Sequence, residues 1–174
     1  MLQKYNKYKL LRIFLQSPTE SFRLRELSRI AELAPPSVQN YLEEFEKEGL
    51  IKSYKKRAVP FYQAQRDNKD FIFYQKLSTL YELHSSGLID YLWDELSPQA
   101  IILYGSHAKG EATEESDIDI FIIGKEKRPD LAKFQKILNK EIHLMFDPNP
   151  EKIPKELKNN LINGIVLKGY FEVI

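Results

Sequence analysis

Apolar residues recur along this chain with two periods, and the change from one to the other divides it. In residues 4–16, Tyr5, Tyr8, Leu11, Ile13, Phe14 and Leu15 fall mostly at intervals of three and four, which places side chains on one face of a helix. The cluster "SPTE" interrupts the run as a turn. Leu24, Leu27, Ile30 and Ala31 in "SFRLRELSRIAEL" predict a second helix, and Val38, Tyr41, Leu42 and Phe45 in "APPSVQNYLEEFEKEGL" a third. Pro35 and Pro36 suit a first helical turn, where a missing N–H costs little, and Gly49 supplies the stop. "LIKSYKKRAVPFYQAQ" then reads as two short strands around a tip near Arg57–Pro60. Two more helical patterns follow. One covers roughly 68–84, with Phe71, Tyr74, Leu77, Leu80, Tyr81 and His84; the other covers roughly 86–96, with Leu88, Ile89, Leu92 and Trp93, ended by Ser97-Pro98. His84 and Trp93 are expected to serve packing.

From residue 99 the period shortens. "QAIILYG" and "SDIDIFIIG" are continuous apolar runs, as in strands buried on both faces. "KEIHLMFD" alternates, with Ile142, Leu144 and Phe146 on one face and Glu141, His143 and Met145 on the other. Pro129 is expected to open a helix carrying Leu131, Phe134, Ile137 and Leu138. Ile153, Leu157, Leu161 and Ile162 predict a last helix, and "IVLKGYFEVI" a closing strand. The order implies an α+β protein whose second part is a short mixed sheet covered by helices.

Composition narrows the class. A chain of 174 residues with 43% hydrophobic residues, ten Phe and ten Tyr has enough apolar surface for packed cores, so it is not disordered. It has no Cys, which excludes a disulfide framework and a thiolate metal site. No apolar run approaches the roughly 20 residues of a membrane span, and Lys and Tyr at short intervals in "MLQKYNKYKLLRIFLQ" are unlike a signal peptide. A soluble, cytoplasmic protein is expected. The net charge of +1 conceals an asymmetry: residues 1–65 hold 12 Lys/Arg against 7 Asp/Glu, and residues 66–174 hold 14 against 18. The basic part is a candidate for contact with nucleic acid.

Three helices followed by a two-stranded ribbon within about 65 residues resemble a winged helix-turn-helix, and "LRELSRIAELAPPSVQNYLEEFEKEGLIKSYKK" is similar to the core of that family. The resemblance implies a third helix docked in a DNA major groove. Ser37, Gln39 and Asn40 stand outside the apolar stripe there, and Gln39 and Asn40 have the donor–acceptor pair that reads adenine. Lys52, Lys55, Lys56 and Arg57 would neutralise phosphates from the wing. Glu43, Glu44, Glu46 and Glu48 would repel a nucleic-acid backbone near the far end of the helix. Docking of a protein partner, or homodimerisation, is the other use of such a module.

In the second part, Gly105-Ser106 ends the first strand, Asp117 lies ten residues beyond Ser106, and Asp119 is two further on. Asp117 and Asp119 project from one strand face, and two carboxylates in a partly buried cleft repel unless a cation compensates. The G-S-x10-D-x-D pattern within "GSHAKGEATEESDIDIFII" resembles the nucleotidyltransferase superfamily of DNA polymerase beta, in particular its small prokaryotic members. The resemblance implies transfer of a nucleoside monophosphate from an NTP, with ATP the first candidate, to an acceptor hydroxyl. It further implies Mg²⁺, as one or two ions with Mn²⁺ as a substitute, held by Asp117, Asp119 and a third carboxylate. On "KEIHLMF" only Glu141 offers that carboxylate on the right face, with His143 the alternative. Gly105, Ser106 and Lys109 would hold the phosphates, and His107 is expected at the rim. Expected domains are a winged helix at 1–66, a connecting helix at 67–85 and a nucleotidyltransferase domain at 86–174. The acceptor (a protein, an RNA end or a small molecule) stays open, as does a DNA-binding regulator or antitoxin-like protein that only binds nucleotide.

Overall fold

Helix α1 (Asn6–Gln16) buries Leu10, Leu11, Phe14 and Leu15; α2 (Leu24–Ala31) buries Leu27 and Ala31; α3 (Pro35–Lys47) buries Val38, Leu42 and Phe45. With Phe22, Leu50, Ile51, Tyr62 and Phe71 these side chains form one core. Each fully buried Leu, Ile or Phe among them contributes roughly 2 kcal/mol by leaving water. The computed structural model describes residues 5–149 and 155–170, and its chain divides into two compact units between Ser78 and Thr79.

In the first unit, α3 begins on Pro35-Pro36 and ends at Gly49, whose φ of 71° lets the Leu50 amide donate to the Phe45 carbonyl (2.9 Å). The chain then forms a three-stranded antiparallel sheet in the order β1-β3-β2, from β1 (Ser21–Phe22), β2 (Ile51–Lys56) and β3 (Val59–Ala64). The hairpin tip is tighter than the expected Arg57–Pro60. Lys56 pairs with Val59, so the turn is Arg57-Ala58 alone, both left-handed as a two-residue turn between twisted strands requires. Lys7 on α1 reaches Glu44 (2.8 Å) on α3 and Glu48 (3.0 Å) just past its end, so two of the glutamates expected to repel a backbone are partly neutralised.

Helix α4 (Lys69–Ser86) starts where the Asn68 side chain accepts the amides of Asp70 (2.8 Å) and Phe71 (3.0 Å). Its buried line differs from the apolar stripe. Phe71, Gln75, Ser78, Thr79 and Leu83 are inside, while Leu77 is 46% exposed and His84 is exposed. The polar members are satisfied: Gln75 donates to the Leu15 carbonyl (3.1 Å) and Ser78 shares a hydrogen bond with the Tyr8 hydroxyl (3.1 Å). A helix can bury polar side chains at no net loss when each finds a partner, and such partners cannot be read from periodicity.

The second unit contains α5 (Leu88–Leu96), β4 (Ala100–Tyr104), α6 (Gly105–Lys109), β5 (Ile118–Ile123), α7 (Ala132–Leu138), β6 (Ile142–Phe146), α8 (Lys155–Ile162) and β7 (Ile165–Gly169). The strands form one mixed sheet in the order β6-β5-β4-β7, with β5 and β6 parallel and the other pairs antiparallel, so the α+β expectation holds. Ile101, Leu103, Ile118, Ile120 and Ile122 pack with Leu92 and Leu96 of α5 and Phe134 and Leu138 of α7. On the opposite face Ala100, Ile102, Phe121 and Ile123 pack with Leu161 of α8. Pro129 lies before α7 rather than opening it, and Ile153 lies outside the described residues. Ile30, Ile137 and Ile162 sit at the margins of their stripes and are about half exposed. Among the described residues no helix is long and apolar enough to cross a membrane.

Candidate functional site

Strand period places Asp117 and Asp119 on the same sheet face as Phe121 and Ile123. Where Leu161 covers that face it is apolar; toward the start of β5 the two carboxylates emerge from it. β4 runs antiparallel alongside, pairing Tyr104 with Asp119, so the chain leaves β4 for α6 directly beside that carboxylate. The turn is made by Gly105 at φ 71°, and a Cβ there would stand 2.4 Å from Asp119 Oδ2. Gly105 therefore serves two needs, a left-handed backbone and a close approach. The loop between Ser106 and Asp117 folds back, so residues far apart in sequence meet at one place.

The electrostatics are those of an uncompensated acidic pair. Burial, with the neighbouring Asp117 charge, pushes the Asp119 carboxyl above its ordinary range, and His143 only partly offsets this. The Tyr104 phenol is pushed up for the same reasons, burial first and then the Asp119 charge. The parallel register sets His143 against Asp119, and its Nδ1 lies 3.8 Å from Asp117 Oδ2 and 3.9 Å from Asp119 Oδ1.

Of the residues anticipated from sequence, Gly105, Asp117 and Asp119 come together, with Ser106 next in the turn and Lys109 exposed at the end of α6. Glu141 shares the face by register, but its carboxylate accepts a hydrogen bond from Gln135 Nε2. Among the described residues no group of three His, Cys, Asp or Glu side chains is placed to hold a metal ion. Two carboxylates remain. They fit a hard divalent cation of the kind that takes one or two protein carboxylates and completes its shell with phosphate oxygens and water. They do not fit an all-protein cage.

Two residues of this region differ from expectation or were not anticipated. His107 is buried rather than at the rim, 8% exposed between the Thr79 hydroxyl (3.3 Å from Nδ1) and the Ser116 carbonyl (3.4 Å from Nε2). A carbonyl only accepts, so Nε2 carries the proton and Nδ1 accepts from Thr79. Lys140 reaches back to the x10 loop, donating from Nζ to the carbonyls of Thr113 (2.8 Å) and Glu114 (2.6 Å). Together they pin the segment that delivers Asp117. No local pattern marks Lys140, because its partners lie some 26 residues away.

Two outcomes follow. Lys140→Met should speed hydrogen exchange of the amides at 111–117, because the loop loses two hydrogen bonds to its carbonyls; unchanged exchange would remove the clamp. Burial, aided by the Lys140 charge, holds the His107 imidazole below its usual pKa. The unfolded chain thus takes up a proton first as pH falls. The melting temperature should drop below about pH 6.5, the ordinary His value, and His107→Gln should flatten that limb.

Comparison with known proteins points to the same region. Residues 86–168 match the family model of the nucleotidyltransferase domain, just under half of the chain. A curated relative, the "Putative protein adenylyltransferase MJ1547" of Methanocaldococcus jannaschii, is 40% identical over 60 residues, which are 34% of this chain and 49% of the relative. This chain thus matches about half the length of that relative. A solved structure described as a toxin-antitoxin with AMP-PNP is 24% identical over 48% of this chain and 71% of its own, with a TM-score of 0.38. The segment that matches the nucleotidyltransferase domain, residues 86–168, holds the glycine turn and both aspartates.

Proposed function

We propose that this chain is a nucleotidyltransferase that moves AMP from ATP to an acceptor hydroxyl and releases pyrophosphate. The observation that carries the reading is the seating of the Gly105 turn against Asp119, with Asp117 alongside, inside the matched domain. The choice of AMP leans on the name of the adenylyltransferase relative. In the reaction the acceptor oxygen bonds to the α-phosphorus, the bond from that phosphorus to the bridging oxygen breaks, and the hydroxyl proton passes to solvent or a nearby base. Asp117 and Asp119 would hold a divalent cation, which when bound neutralises the polyphosphate and favours the alkoxide form of the attacking oxygen. Gly105 lets the backbone approach the phosphates, Ser106 offers its amide and hydroxyl, and Lys109 adds a point charge. Glu141 would join the carboxylates only by leaving Gln135.

The first unit we read as a winged helix-turn-helix. In support, α2 and α3 are separated by the short turn Glu32–Ala34 and are followed by the β2–β3 ribbon. On α3 the Gln39 amide is engaged by Glu43 (2.9 Å), which leaves Asn40 as the exposed candidate for duplex readout, with Ser37 half-buried beside it. Lys52, Lys55, Lys56 and Arg57 remain exposed on the ribbon for phosphates.

The test incubates the full chain with labelled ATP, GTP, CTP or UTP, Mg²⁺ or Mn²⁺, and lysate as acceptor. Label transfer with pyrophosphate release supports the reading. No transfer from any nucleotide, or transfer undiminished in the Asp117→Ala/Asp119→Ala double variant, counts against it.

A further inference from the structure

The register of the three-stranded sheet puts Lys52, Tyr54 and Lys56 of β2 on the same face as Val59, Phe61 and Gln63 of β3 and Ser21 of β1. The other face supplies Phe22, Ile51, Tyr62 and Ala64 to the core. On the first face three groups stack in a row across the sheet. The Arg23 guanidinium lies 5.0 Å from the centroid of Phe61, and Phe61 stacks on Tyr54 with centroids 5.8 Å apart and planes at 17°. The row ends on β2, an edge strand, at Tyr54, a residue that is 43% exposed. Lys52 and Lys56 flank that ring along β2. Neither ammonium has an ion-pair partner among the described residues, and no carboxylate belongs to the strand positions of this face.

An exposed cross-strand aromatic pair is explained in part by hairpin stability. That account leaves the cation at one end of the row and the open ring at the other without a use. A stack that terminates on an accessible ring at a sheet edge can be extended by an unpaired base, and the flanking ammoniums suit its phosphates. A duplex offers phosphates to the lysines but has no base free to reach Tyr54. We propose that this sheet face binds single-stranded nucleic acid, with a base stacked on Tyr54 and the backbone tracking Lys52 and Lys56. The site shares Lys52 and Lys56 with the ribbon but not the α3 surface, and it is independent of the transferase reading, because Asp117→Ala/Asp119→Ala should bind as the parent does.

The experiment is fluorescence anisotropy on the full chain with labelled oligo-dT and oligo-U of about twelve nucleotides, within the range of single-strand sites, and a duplex of the same length, across a salt series. Both single strands should bind, and their binding, unlike that of the duplex, should depend on Tyr54; the better of them identifies DNA or RNA as the preferred form. Tyr54→Ala should weaken single-strand binding about tenfold and Tyr54→Trp should retain it. Lys52→Ala/Lys56→Ala should reduce the magnitude of the salt slope by about 1.4, or 0.7 per phosphate released. If Tyr54→Ala melts below the assay temperature, Tyr54→Thr, a good strand former, takes its place. Absence of single-strand binding, or single-strand binding indifferent to loss of the Tyr54 ring, would overturn the proposal.

Discussion

Asp119→Asn is expected to reduce nucleotide transfer by about a thousandfold while raising the melting temperature at neutral pH. The first half follows from loss of a charge aimed at the polyphosphate in a partly enclosed site, where removing one preorganised electrostatic contact commonly costs about 10²–10³ in rate. The second half follows from the carboxyl itself. Burial and the Asp117 charge raise its pKa in the folded state, so the fold holds its proton more tightly than the unfolded chain does. Stability therefore falls as pH rises from the ordinary Asp range through the raised value, and the cost persists at neutral pH. Asn keeps the shape without the charge, so its advantage should fade on acidification below about pH 4, where the parent carboxyl is protonated in both states. A residue kept at a cost to stability is best explained by function. Calorimetry from about pH 3 to 8, beside a label-transfer assay, reads both halves. A variant that loses neither activity nor gains stability would show that Asp119 is an ordinary surface acid.

Gly105→Ala should be nearly as damaging, by a different route. Left-handed backbone costs an L-residue about 1–2 kcal/mol, and the new methyl would in addition overlap the Asp119 carboxylate, at 2.4 Å from Oδ2. The conflict can be relieved only by moving the turn or the acid. Transfer is expected to drop about a hundredfold, the usual consequence of roughly an ångström of displacement. Gly87→Ala separates the two causes. Gly87 has a φ of 79°, but a Cβ there meets nothing within 4 Å. It should lose comparable stability from strain and leave transfer unchanged. Equal loss of activity in both variants would mean that the close approach at Gly105 has no special role.

The same site shows how far local pattern carries. The two apolar runs around β4 and β5 place those strands at the centre of the sheet, and the spacing of Gly105, Ser106, Asp117 and Asp119 singles them out before any coordinates. Glu141 and His143 are the instructive contrast. Both lie on the correct face of β6, but which one stands beside the aspartates depends on the parallel register and on Gln135, a side chain of α7 that holds the Glu141 carboxylate. Leu77, Ile137 and Ile162 carry the same lesson for packing, since their helices do form but these positions are left half exposed.

Chain order alone was enough for most of the helices and strands (β1 was not among them), for the glycine stop after α3 and for the acidic pair with its turn. These depend on dihedral preference and on the alternation of apolar and polar side chains over a few neighbours. Folding in three dimensions settled the polar interior of α4, the burial of His107, the Lys140 tether and the Arg23–Phe61–Tyr54 row. Each of these joins residues at least seven positions apart in the chain, and only the packed backbone determines which of many compatible partners lies within hydrogen-bond or stacking distance.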